Sequence, residues 1–237
     1  MQEKKVSFPF NMIESMMPLY PVLAVMGWML ALIAFLVGLY VLSTAQTAFF
    51  SDAKAVREGA AVGSAFVQAN VISHVTEAWL PQLKFLGLGL GLLAIVMALG
   101  TIAKKLRYMG KVLTDHIPGD QRPEMPPQPK QVRWFQISAM MGIMLLMLVL
   151  IIGIVLAITI VPDYWNNSIA SELNLAAVGS ALLSQLAVIS SYAFWLNALR
   201  MIGMAFLFTS IAIALTVIIG TLRLQSKVLL KFYEQNT

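Results

Sequence analysis

Two histidines and one nearby glutamate are the residues of this chain whose types best suit metal or acid–base chemistry. His74 and Glu77 are three residues apart, a spacing that places both side chains on one face of a helix. No third ligand stands near them, His116 is distant in sequence, and the chain has no cysteine. Haem would need ligands within apolar spans, where no histidine occurs. We therefore predict no metal, no haem and no other cofactor, and a solvated polar face around His74.

Methionines cluster in one apolar stretch, and their thioethers can bind copper(I). The cluster comprises Met140, Met141, Met144 and Met147. No cysteine or histidine strengthens such a site, and methionine is also an ordinary filler of apolar cores. The sequence likewise lacks a clustered nucleophile and base, so we predict no catalytic residue and no enzymatic activity.

Four long uncharged stretches indicate that this protein lies in a lipid bilayer. They cover residues 22–48, 85–103, 135–161 and 201–222. Each has about the 18–20 apolar residues that a helix needs to cross a bilayer. Charged residues make up only 11% of the chain, against about 25% in an ordinary soluble domain. We therefore predict an all-α integral membrane protein with four transmembrane helices.

The distribution of Lys and Arg predicts the orientation of these helices. The amino-terminal segment, the central loop and the carboxy-terminal tail hold twelve of the 16 basic residues, and the segments 49–84 and 162–200 hold four. Basic residues accumulate on the cytoplasmic side, so both termini and the central loop are expected there. The location expected is a plasma membrane, most simply a bacterial inner membrane. This topology accounts for the excess of basic residues, and we therefore predict no nucleic-acid partner.

An internal repeat is the strongest pattern in the sequence. A shift of 116 residues aligns 60–113 with 176–229 without a gap, with 19 identical residues in 54 positions. Each unit contains two spans, so both copies insert in the same direction, and a pseudo-two-fold axis along the membrane normal is expected to relate them.

The repeat defines the predicted domain layout. A cytoplasmic or interfacial segment, 1–21, precedes unit 1, 22–113, which has spans 22–48 and 83–106 around an outer segment, 49–82. A proline-rich cytoplasmic linker, 114–133, leads to unit 2, 134–229, with spans 135–161 and 199–222 around an outer segment, 162–198; the cytoplasmic tail is 223–237. Each outer segment is expected to contain a helix that lies at the extracytoplasmic interface. The alternative is that these segments re-enter or fully cross the membrane, and full crossing would break the charge rule.

Small residues and tryptophans are the predicted structural sites. Both copies contain AAVGSA, at 60–65 and 176–181, and small residues permit close contact between membrane helices. The predicted helix-packing positions are Gly63, Gly87, Gly91, Gly179 and Gly203. Copy two has Leu207 in place of Gly91, so the two copies are expected to meet different neighbours. The predicted interface anchors are Trp79, Trp134, Trp165 and Trp195.

These observations favour one function and leave two alternatives. The stretches 22–48, 85–103, 135–161 and 201–222 contain no charged residue or histidine, although charged-substrate carriers and pumps usually place ionisable groups within the membrane. We therefore expect a non-catalytic membrane subunit that packs within and stabilises a larger assembly, with other membrane subunits and lipids as partners. One alternative is a small channel or carrier for a neutral or lipidic substrate. The other is a scaffold that recruits cytoplasmic proteins through PEMPPQPK, 123–130.

Overall fold

The computed structural model describes residues 17–115, 130–167 and 179–236. Within these ranges the chain forms helices and no strand. A single 3-10 turn, Met17–Leu19, comes first. The α-helices that follow are α1 (Tyr20–Phe50), α2 (Lys54–Glu58), α3 (Ala65–Asp115), α4 (Gln131–Ile158), α5 (Ile160–Trp165) and α6 (Ala181–Asn236).

Four helical segments are long and apolar enough to cross a membrane. They are Met17–Phe50, Ala65–Asp115, Gln131–Trp165 and Ala181–Lys231. The predicted all-α class with four long apolar helices is confirmed, and these segments fit a multi-pass membrane protein. Their backbone hydrogen bonds are made within each helix, as hydrocarbon requires.

Helices α3 and α6 differ from the sequence expectation at one point. The outer segments were expected to contain separate interfacial helices, but residues 65–82 continue directly into the rest of α3, and residues 181–198 into the rest of α6. At a rise of 1.5 Å per residue, the 51 residues of α3 extend over about 76 Å, well beyond a bilayer core of about 30 Å. Pro81 lies inside α3 without ending it, and membrane helices tolerate such a proline where neighbouring helices compensate for the lost backbone hydrogen bond.

The described residues divide into two compact units. One consists of the described parts of Met1–Val25, Leu90–Ile143 and Met204–Thr237. The other consists of Met26–Gly89 and the described parts of Met144–Gly203. We call them the first and the second unit. Each contains segments of α1, α3, α4 and α6, because the helices run through both.

The second unit has a continuous apolar core. Its buried members come from α3, α4, α5 and α6, and they are Ala78, Val149, Leu156, Ala157, Val161 and Leu196. Small and β-branched residues dominate this set, so the helix backbones approach closely. Close packing rather than bulk hydrophobicity holds membrane helices together, since lipid tails are as apolar as leucine.

Interhelical hydrogen bonds join α4 and α6 in the first unit. The Ser138 hydroxyl donates to the carbonyl oxygen of Phe206, 2.6 Å away, and the Ser210 hydroxyl donates to that of Phe135, 2.8 Å away. The Gln225 side-chain amide donates to the carbonyl oxygen of Leu106, which joins α6 to α3. Each bond links side chain to backbone on a different helix, which fixes the register of the pair.

Candidate functional site

Gly87 and Gly91 occupy different environments although they were predicted as one face. A Cβ atom built on Gly87 would stand 2.8 Å from the Gly27 carbonyl oxygen and 2.8 Å from the Ala31 nitrogen. Nothing lies within 4 Å of the same position on Gly91. Gly87 therefore permits α1 and α3 to meet backbone to backbone in the second unit. A role for Gly91 in contact with another protein stays a prediction, and Gly203, the repeat counterpart of Gly87, is buried.

The glycines of the two AAVGSA copies take the same backbone conformation. Gly63 has a φ of 82° and Gly179 a φ of 81°, the left-handed region that favours glycine. Neither has an atom within 4 Å of its Cβ position. The next residue then caps a helix: the Ser64 hydroxyl accepts from the Val67 nitrogen at 3.4 Å, and that of Ser180 from the Leu183 nitrogen at 3.3 Å. In the described residues the motif acts as a helix start, and residues 176–178 lie outside them.

The four predicted tryptophan anchors are not equivalent. Trp79 and Trp165 both pack against the apolar core of the second unit. Trp195, the repeat counterpart of Trp79, is exposed, and so is Trp134. The exposed pair is available to a lipid interface, whereas the other two contribute to packing. The anchoring role of all four stays a prediction.

His74 lies against an aromatic ring rather than on a freely solvated face. Its imidazole stacks on the indole of Trp165, with ring centroids 3.6 Å apart and an angle of 13° between planes. Its Nδ1 is 3.3 Å from Oε2 of Glu77. The described residues contain no group of three or more acidic or histidine side chains that could hold a metal ion. No sequence signal indicated the stack, because it joins residues on α3 and α5 that are 91 positions apart.

Arg200 is a charged group that contacts residues of two long helices. Its Nη1 donates to Oε1 of Gln82 at 3.5 Å, and its Nη2 donates to Oδ1 of Asn197. The guanidinium carbon lies 4.2 Å from the centre of the Phe85 ring, within cation–π distance. Its Nε is buried without a hydrogen-bond partner among the described atoms. This cluster joins α6 to α3 within the second unit.

A polar stripe runs along the amino-terminal part of α3. Asn70, Ser73 and Thr76 are each less than 8% exposed. The hydroxyl of Ser73 is buried and has no hydrogen-bond partner within the described part of the chain. A serine in a helix can satisfy its hydroxyl at a carbonyl one turn back, as Ser43 and Thr44 do on α1. The unpaired hydroxyl therefore marks a place where a small polar neighbour would be stabilised.

The fully buried positions of helix α1 are small residues, and many of its large residues are exposed. Its buried positions are Gly27, Ala34 and Ala45. By contrast Trp28 is 76% exposed, Tyr40 74% and Phe35 61%. Only 11% of its most apolar 18-residue window is buried, against 33–44% in the other three candidate spans. Most of the surface of α1 is thus free to meet lipid or another protein.

The fold class that these features define is a multi-pass α-helical membrane protein. Comparisons with protein-family models, with curated proteins and with solved structures found no match to this chain. Its function therefore has to be inferred from the residues and their contacts.

Proposed function

We propose that the chain is a non-catalytic integral membrane subunit that packs within and stabilises a larger membrane assembly. The observation that supports this most is the surface of α1, where Trp28 and Phe35 project from a helix whose fully buried positions are all small residues. Large rigid aromatic side chains are the usual centres of protein interfaces. The proposed location is the bacterial inner membrane, with both termini in the cytoplasm.

The position of Trp28 favours a protein neighbour over lipid. Tryptophans that face lipid concentrate at the membrane–water interface. Trp28 lies inside the uncharged run 15–51, 13 residues after its start and 23 before its end. An exposed tryptophan at that depth is more typical of a contact with another helix. The proposed partner is therefore a transmembrane segment that covers the face of α1 containing Trp28 and Phe35.

The proposal includes the tandem parallel repeat. The matching φ angles of Gly63 and Gly179 and the matching caps of Ser64 and Ser180 support it, because they recur at the same 116-residue spacing as the sequence identities. One copy of the repeat leaves an open glycine at position 91, where the other buries Leu207. This difference supports separate neighbours for the two copies.

Co-purification after mild solubilisation tests the proposed function. We expect wild-type chain and Trp134→Leu to retain a stoichiometric membrane partner, and Trp28→Leu with Phe35→Leu to lose it. Trp134 is the matched control because it is also exposed but lies near the start of α4. Absence of any partner from the wild-type preparation, or its equal retention in all three, would rule the proposal out.

The polar stripe on α3 favours a second candidate, a channel or carrier for a neutral or lipidic substrate. The unpaired hydroxyl of Ser73 and the buried Asn70 and Thr76 would give hydrogen bonds to a small uncharged solute. Proteoliposomes loaded with a neutral polyol provide the test. Efflux faster than in protein-free vesicles, and slowed by Asn70→Leu, would favour this candidate over the subunit.

The scaffold alternative rests on residues 123–130, of which 123–129 lie outside the described residues. It stays a prediction from the sequence, and no contact of the described chain supports it.

A further inference from the structure

The positive charge of Arg200 has no negative partner within the described chain. Lys54 pairs with Glu58 and His74 with Glu77, and neither of these ion pairs includes Arg200. The side chains around the guanidinium, from Gln82, Asn197 and Phe85, are all neutral. Arginine remains protonated at any ordinary pH, so its charge requires compensation from outside these residues.

The glutamine that accepts from the guanidinium packs against an apolar stretch of another helix. This glutamine, Gln82, packs on Gly153 of α4, where an added Cβ would stand 2.9 Å from the Gln82 Cγ atom. Gly153 is eight residues inside the end of the uncharged run 135–161, about 12 Å along the helix. A cation beside such a stretch is costly unless it pairs with an anion or reaches the headgroup region.

We propose that Arg200, held in place by Gln82 and Phe85, binds a phosphate-type oxyanion. The N–H groups of the planar guanidinium can donate two parallel hydrogen bonds to the oxygens of one phosphate. Here the neutral neighbours of Arg200 orient the guanidinium without cancelling its positive charge. Asn197 lies on the amino-terminal side of Arg200. The Arg200 side chain therefore points away from the uncharged run 201–222, toward the part of α6 that precedes this run. Lipid headgroup phosphates are expected at that level, and free phosphate in water would offer the same chemistry.

The repeat supplies a matched comparison for this site. Lys84 stands at the position of α3 that corresponds to Arg200, and it is exposed. It carries the same charge at the same point of the repeat, without the oriented guanidinium. If Arg200 forms a specific binding site, replacing Arg200 and replacing Lys84 should affect ligand binding differently. If the anion is held only by general attraction to positive charge, the two replacements should have the same effect.

The test measures the rise in unfolding temperature of the purified chain on addition of three probes. These are short-chain phosphatidylglycerol, diacylglycerol of the same chain length and inorganic phosphate. We expect phosphatidylglycerol to raise the unfolding temperature of wild type and Lys84→Gln but not of Arg200→Gln, and to act weakly on Arg200→Lys, which lacks the guanidinium. Because Arg200→Gln also removes contacts between helices, each rise is taken from the variant's own baseline. Phe85→Leu, which retains Arg200, is expected to show a reduced rise.

The outcomes separate the sources of the anion. A rise with phosphatidylglycerol alone supports a lipid headgroup, and a rise with inorganic phosphate as well supports a soluble ligand. An equal rise with diacylglycerol, or equal losses in Lys84→Gln and Arg200→Gln, would overturn the site. So would the absence of any rise in wild type. Loss of a co-purifying protein in Arg200→Gln without any phosphate effect would instead assign the counter-charge to a carboxylate of that protein.

Discussion

Gly87 of α3 lies against the backbone of Gly27 in α1, so closely that a Cβ on Gly87 would stand 2.8 Å from the Gly27 carbonyl oxygen. Real Cβ atoms do not approach that closely, so no other residue fits at position 87 without a shift of one helix. Farther along the same pair, a Cβ on Gly38 would meet the Leu80 side chain at 2.8 Å. The two contacts show that α1 and α3 are antiparallel, and they are about three turns apart along α1 and about two turns apart along α3.

Replacing Gly87 by Ala should destabilise the chain itself, by about 1–3 kcal/mol, because the new methyl group must displace backbone atoms. Replacing Gly91 by Ala should cause no loss, since nothing lies within 4 Å of that position. Unfolding of both variants in mixed micelles checks this, with membrane insertion measured separately. Equal stability of the two variants would contradict the close contact between α1 and α3.

The helix starts at Gly63 and Gly179 give a second prediction. Alanine at either position should lower stability by about 1–2 kcal/mol, because an L-residue is strained in the left-handed region. Asparagine is the matched control, since it enters this region more readily and should lose less. Thermal unfolding of the four single variants measures the difference. If Ala and Asn behave alike at both sites, the positive φ angles are not what selects glycine there.

The serine hydroxyls between α4 and α6 give a third prediction. Ser138→Ala and Ser210→Ala should each cost about 0.6 kcal/mol, and at most about 2 kcal/mol, as interhelical hydrogen bonds in membranes do. Thr209→Val is the control, because the Thr209 hydroxyl donates within its own helix, to the Ala205 carbonyl at 2.8 Å. Equilibrium unfolding distinguishes the three. A larger loss in Thr209→Val than in either serine variant would show that these bonds do not hold the pair.

The sequence predicts the four long helices because long uncharged runs have one stable form in hydrocarbon. It does not predict that α3 continues through Pro81, because proline permits either a break or a continuous helix and the neighbouring helices decide between them. The continuous α3 then brings Gln82 beside Gly153, in an apolar run of α4 that the sequence alone treats as separate.

The candidate sites, too, were predictable from the sequence only in part. Spacing identifies Gly87 and Gly91 as one helix face, but only the docking of α1 makes the first tight and leaves the second open. In the sequence, Arg200 is only one of the four basic residues of segments 49–84 and 162–200. Its contacts with Gln82 and Phe85 depend on the lateral packing of α6 on α3, which a helical pattern along one segment does not contain.

Site-specific photo-crosslinking from position 28 in native membranes tests the central claim most directly. A photoreactive phenylalanine at Trp28 should give one discrete adduct with another membrane polypeptide, because the proposed partner covers that face of α1. The same group at Ala34, which is buried in the chain, should give no intermolecular adduct. If all of the chain is inserted in the membrane and position 28 gives adducts with lipid alone, the claim that this chain is a subunit of a larger assembly is contradicted.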